Sequence, residues 1–358
     1  MFKKLKEKSN LEFLFVCIKI GIGVLLYRGS MDFLGSIIQI PFSIWMMTVQ
    51  DMAEMNAINY LFQMTYSILA FACGAAILAI MLNIGKRSNY QPIYKKFKAP
   101  LLVPFMIIST VAINFVASDV SQSMIKLLAP DLFNSSITQM VTYDHKMSIL
   151  EIVLLFVSTA IVPGVIEEIF FRGLVLTNLT PYGRGTAILG SALLFGLMHM
   201  NPSQFFYTTM MGIIIGYVYV RTKSIWVCIA IHILNNGLAV LQEVFHGTMG
   251  ATSANIASSI LTLSVVLLGG ISIVVLLVAR EANRKRAPAE KGSFGRICEP
   301  SLGYEERAVS RRGKLAMFFT PANGIFTVVI FGSMYATVGL IILVGLIYGL
   351  LPEGTMII

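Results

Sequence analysis

Charge is what this chain has least of. Only 13% of its 358 residues are Asp, Glu, Lys or Arg, against roughly 25% in a soluble globular domain. With 56% hydrophobic residues, a soluble protein is excluded and a polytopic membrane protein is indicated. Cysteine is scarce: Cys17, Cys73, Cys228 and Cys298 are scattered and none forms a C-x-x-C pair. Neither a disulfide framework nor a thiolate metal site is therefore expected. The net charge of +9 has no nucleic-acid-binding module to go with it. Its Lys and Arg residues cluster mostly in short segments between apolar runs, as the positive-inside bias requires, so no nucleic-acid partner is expected. Membrane-protease signatures are missing as well: no H-E-x-x-H, no Gly-x-Ser-Gly and no Gly-x-Gly-Asp.

What is present is a series of long apolar runs. The basic start (Lys3, Lys4, Lys6, Lys8) marks a cytoplasmic N-terminus, and Lys19 inside the run that follows argues for a retained first span rather than a cleaved signal. Spans are expected at 11–27, 57–83, 99–118, 148–173, 185–200, 204–220, 225–245, 257–279 and 324–350. Residues 31–54, interrupted by Gln39 and Pro41, read as an interfacial or re-entrant segment. Polar outer loops are expected at 119–147 and 246–256, and a turn at 176–184. Residues 280–314, with ten Lys/Arg against five Glu, read as a cytoplasmic loop that could touch anionic lipid. The expected fold is all-α: a transmembrane bundle of eight to nine spans. Its parts are N-terminal helices and an outer loop (1–147), a catalytic core (148–245), and C-terminal helices (246–358).

Three formal charges break the apolar pattern at one place, Glu167-Glu168-x-x-x-Arg172. Asp, Lys or Arg at the centre of a membrane helix costs roughly 2.5–3.5 kcal/mol each, a cost carried only where charges pair or do chemistry. Glu168 and Arg172 are four apart and share a helix face. Glu167 is turned about 100° away and has no such local partner.

Histidine is the other rare ionisable residue. His145 and His246 fall in the expected outer loops, whereas His199 and His232 fall within spans, where histidine is a functional candidate by default. Phe195 and His199 are four apart, as are His232 and Asn236, so each pair shares a face. Asn235 and Asn236 also suit interhelical hydrogen bonding. A carboxylate, two imidazoles and a carboxamide in a dry cavity suit peptide hydrolysis. The carboxylate acts as general base on water, and donors are needed where the oxyanion develops. Two histidines and one carboxylate also make a complete protein ligand set for catalytic zinc, here Glu167, His199 and His232. The residues leave the zinc and metal-free routes equally open.

Taken in order, Glu167-Glu168-x-x-x-Arg172, Phe195-x-x-x-His199 and His232-x-x-x-Asn236 resemble the three motifs of the CPBP family. These are the type II CAAX prenyl endopeptidases and the bacteriocin-processing or immunity proteins, also called the Abi family. The resemblance covers about residues 148–245. It implies an intramembrane endopeptidase (a hydrolase of the metallo- or glutamate type) in the cell membrane, bacterial in origin. Its substrate would be a protein or peptide at the membrane, of CAAX or bacteriocin type. Carried over by position, Glu167 activates water, His199 partners it, and His232 with Asn236 forms the oxyanion site. Glu168 and Arg172 support them. The other role within the family is a non-catalytic immunity protein that binds a bacteriocin-like peptide. One difficulty is depth. His199 follows Arg184 by 15 residues, roughly 22 Å of helix, while Glu167 sits near the cytoplasmic end of its span. For them to meet, the fifth span must tilt or be short, or part of 176–190 must lie at membrane depth.

Overall fold

A computed structural model describes residues 2–83, 100–128, 146–199 and 202–286. Among the described residues the chain is helical throughout. We number the helices α1 (Phe2–Met46), α2 (Met52–Asn83), α3 (Val103–Leu128), α4 (Ile149–Tyr182), α5 (Arg184–Met198), α6 (Pro202–Thr222), α7 (Ile225–Thr248) and α8 (Ala251–Arg286). Five of them, α2, α3, α4, α7 and α8, are long and apolar enough to cross a membrane. The ninth expected span and most of the 280–314 loop lie outside the described residues, as does His145.

The first correction concerns residues 31–54. They are not set off from the first expected span as a separate element: α1 runs unbroken through Gln39 and Pro41 to Met46. An interior proline costs a helix about 3 kcal/mol. Packing offsets it here, because α2 runs back along α1. Met31 and Leu34 rest on the core, and Phe42 meets Phe62 with ring centroids 5.4 Å apart. The hairpin turns at 47–51, where Asp51 Oδ1 accepts from the amides of Ala53 (2.8 Å) and Glu54 (3.0 Å) and so caps α2.

The second correction concerns the chain after Gly173. The expected turn at 176–184 is helix as far as Tyr182, and only Gly183 breaks it, at φ 134°. Leu176, Leu179 and Tyr182 are core residues, the last stacked 4.9 Å from Phe13 of α1. This apolar face is why the segment stays helical. Two further loops shrink in the same way. Residues 119–128 continue α3, and the break between α7 and α8 is confined to Met249 and Gly250. His246 therefore lies in the last turn of α7, half-buried, and not in a loop.

Helix α4 starts at a capping box: Glu151 N–H donates to Ser148 Oγ (3.2 Å) and Ser148 N–H to Glu151 Oε2 (2.7 Å). It then widens twice into π-helix, at Val157–Ile161 and Ile169–Leu176, with seven α-helical residues, Val162–Glu168, between. Such π turns are frequent at functional sites. Helix α7 packs antiparallel along α4. Met147 N–H donates to Gly247 O at one end (2.9 Å), and Gly164 meets Ile233 further along. A Cβ on Gly164 would stand 2.6 Å from Ile233 Cγ1 and 3.2 Å from its backbone nitrogen. Glycine there sets the distance between the helices that carry Glu167 and His232.

Candidate active site

Glu168 and Arg172, the pair expected from spacing, form a buried ion pair of 2.9 Å. Their side chains are 0% and 1% exposed. A buried pair is sustained only with good geometry and further hydrogen bonds. Arg172 is only partly provided for: its guanidinium lies 4.8 Å over the Phe195 ring and reaches the Gly212 carbonyl at 3.5 Å, while its Nε and Glu168 Oε2 are buried with no hydrogen-bond partner. Glu168 Oε1 takes a second donor from across the bundle, His232 Nδ1 at 2.7 Å.

That bond orients the imidazole. With Nδ1–H donated to a carboxylate, the ring is locked and Nε2 points the other way. It points at Glu167, whose Oε2 is 3.8 Å from His232 Nε2. This exceeds hydrogen-bond length, so the two atoms can share one water molecule about 2.8 Å from each. Glu167 is 22% exposed and His232 only 2%, so the pair has a buried side and an accessible side. The phenols of Tyr27 (α1) and Tyr207 (α6) also lie within electrostatic reach of Glu167.

His199 is tied to His232 through a shared neighbour, Phe195. Its Nδ1 is 2.9 Å from the Phe195 carbonyl. A carbonyl only accepts, so Nδ1 carries the hydrogen and Nε2 is left as the acceptor. The Phe195 ring touches both imidazoles edge to face, with centroids 4.9 Å from His199 and 5.9 Å from His232. The extra turns of α4 narrow the offset along the helices. Ser191 Oγ donates to Phe171 O (3.0 Å), which sets α5 antiparallel beside the end of α4. Eight residues on, His199 comes within about one turn of the level of Glu167.

Asn236 is held differently from expectation. Its Nδ2 donates to the Thr159 carbonyl at 3.1 Å, in the first π turn, and its Oδ1 accepts from Asn235 at 3.4 Å. One amide hydrogen is thus taken by backbone. Nothing in the sequence marks Thr159 as that partner, because the widened turn that presents its carbonyl has no spacing signature. Gly164 and Ser191 were equally hidden. Only the Pro163-Gly164 pair inside an apolar run hinted at a close approach.

The proposed zinc ligands Glu167, His199 and His232 do not assemble as a ligand set. Among the described residues no three His, Cys, Asp or Glu side chains gather closely enough to hold an ion. No step is derived through a metal.

Residues 149–238 match the family model for type II CAAX prenyl endopeptidase Rce1-like proteins. The matched stretch is a quarter of the chain and lies within the 148–245 region of the three motifs. It contains every residue of the three motifs, and its ends fall on α4 and α7, the two helices that face each other across Glu167 and His232. The chain is also 30% identical over 108 residues to a Bacillus subtilis (strain 168) protein named "Putative membrane peptidase YdiL". That match covers 28% of this chain and 43% of the relative, so the chain spans less than half the relative's length. No solved structure matches. With five helices long and apolar enough to cross a membrane, the chain is a multi-pass integral membrane protein.

Proposed function

We propose that the protein is an intramembrane endopeptidase that hydrolyses a peptide bond of a membrane-associated protein or peptide. The observation that carries this is the placement of His232, anchored on Glu168 at 2.7 Å with its other nitrogen 3.8 Å from Glu167. In this reading Glu167 takes a proton from the shared water as its oxygen attacks the scissile carbonyl. The tetrahedral oxyanion is met by His232, in its protonated form, and by the second amide hydrogen of Asn236. Glu167 then passes its proton to the leaving amine as the C–N bond breaks. Groups of this kind contribute about 10²–10⁴-fold by general acid–base action. His199 acts through the Phe195 ring that it shares with His232, not on the water itself.

The match to CAAX prenyl endopeptidases favours a substrate presented at the membrane surface, with the cleaved bond entering from the cytoplasmic side, where the basic N-terminus is read to lie. The test is direct. Purified protein is mixed with membranes from a host lacking it, and new peptide termini are mapped by mass spectrometry. Discrete termini that appear with the wild type and vanish with His232→Ala support the reading. The same termini with both, or none with either, reject it.

A further inference from the structure

A second binding feature lies on the α5–α6 hairpin, away from the catalytic groups. An open groove of about 350 Å³ is lined by Gly185, Ile188, Leu189, Ile213, Ile214 and Tyr217. Its volume is in the range of ordinary ligand sites, about 300–1,000 Å³, yet the lining is apolar apart from one phenol. Ten residues of α5, roughly 15 Å, separate Leu189 from His199.

One end of this groove is strongly basic. A Cβ on Gly212 would meet Ala192, and one on Gly216 would meet Ile188. This antiparallel register brings Arg184, at the start of α5, level with the last turn of α6, where Arg221 sits. Arg184 is exposed and adjoins groove residue Gly185. Arg221 holds its guanidinium 5.1 Å over the ring of Tyr217, a groove wall. Trp226, 62% exposed just beyond α6, marks the same end as a membrane–water interface, where tryptophan concentrates. An apolar slot with two arginines on the helix turns that flank one end has the polarity of one molecule, an acyl chain with a phosphate at its head. Guanidinium binds phosphate oxygens in bidentate fashion, and a zwitterionic headgroup would bring its own cation against the two arginines.

We propose that this groove binds one anionic glycerophospholipid of the bilayer. An acyl chain lies along Ile188, Leu189 and Ile214, and the phosphodiester sits between Arg184 and Arg221. The site is independent of the peptidase reading, and so is its test.

The full chain, purified in detergent, is titrated with dioleoylphosphatidylglycerol or dioleoylphosphatidylcholine, and retained lipid is counted by native mass spectrometry. One phosphatidylglycerol should be retained in preference to phosphatidylcholine. Replacing both arginines (Arg184→Gln with Arg221→Gln) should weaken its retention roughly thirtyfold, since each basic residue near a lipid surface contributes about fivefold. Filling the slot (Leu189→Trp with Ile214→Trp) should also remove it, with helix content unchanged by circular dichroism. Equal retention of the two lipids overturns the proposal. So does phosphatidylglycerol binding that survives either variant, or competition by inorganic phosphate at the same concentration as the lipid.

Discussion

His232 Nδ1 lies 2.7 Å from Glu168 Oε1, the same oxygen that Arg172 reaches at 2.9 Å. One carboxylate thus anchors a histidine from α7 and an arginine from its own helix. Breaking a buried pair by removing one partner costs about 3–5 kcal/mol, whereas replacing both partners with apolar groups is often neutral. Glu168→Gln should therefore lower thermal stability sharply, by an amount in that range. Glu168→Leu with Arg172→Met should recover much of it. Activity should recover in neither, because His232 has lost its anchor. Thermal unfolding in detergent, read beside peptide cleavage, separates the two effects.

The close approach of α4 and α7 at Gly164 gives a second prediction. Gly164→Ala places a methyl group against Ile233, including its backbone nitrogen at 3.2 Å. Overpacking of this kind costs about 1–3 kcal/mol. Parting the helices should also lengthen the path from Glu167 to His232, so kcat should fall while substrate binding changes little. Adding Ile233→Ala should restore stability in part, because the backbone contact remains.

Phe195 is the common support of the site. Its ring touches His199, His232, Phe171 and the Arg172 guanidinium. Phe195→Ala should cost about 3–5 kcal/mol as a core truncation and should disorder both imidazoles. Their NMR resonances should broaden or merge relative to those of the wild type. Phe195→Tyr, which keeps the ring, should fold and retain the two signals.

A smaller effect is expected at Ser191, whose hydroxyl donates to the Phe171 carbonyl between α4 and α5. Ser191→Ala leaves that buried carbonyl short of a donor, at about 1–3 kcal/mol. It should loosen the position of His199 while leaving the Glu168–His232–Arg172 cluster intact. A measurable loss of cleavage with little change in the imidazole resonance of His232 would bear this out.

The all-helical class and the Glu168–Arg172 pair were legible in the sequence for a physical reason. Helical neighbours are fixed by spacing, and charge is costly in lipid. What spacing cannot express is contact between helices. Nothing in the chain says that His232 chooses Glu168 over Glu167, or that Asn236 spends a hydrogen on Thr159. The segment expected to be interfacial at 31–54 is helix as far as Met46, and the turn expected at 176–184 is helix as far as Tyr182, for a related reason. Gln39, Pro41 and the Thr-Asn-Leu-Thr-Pro run carry loop chemistry, and tertiary packing on Phe62 and Phe13 overrides it.

The central claim is that Glu167, facing His232 Nε2 at 3.8 Å, activates the attacking water. Its most direct test is the cleavage rate of a membrane-anchored reporter peptide by wild type and by Glu167→Gln, a variant of the same shape without the base. The account predicts a loss of about 10²-fold or more, with an unchanged melting temperature. A Glu167→Gln protein that cleaves at the wild-type rate would contradict it.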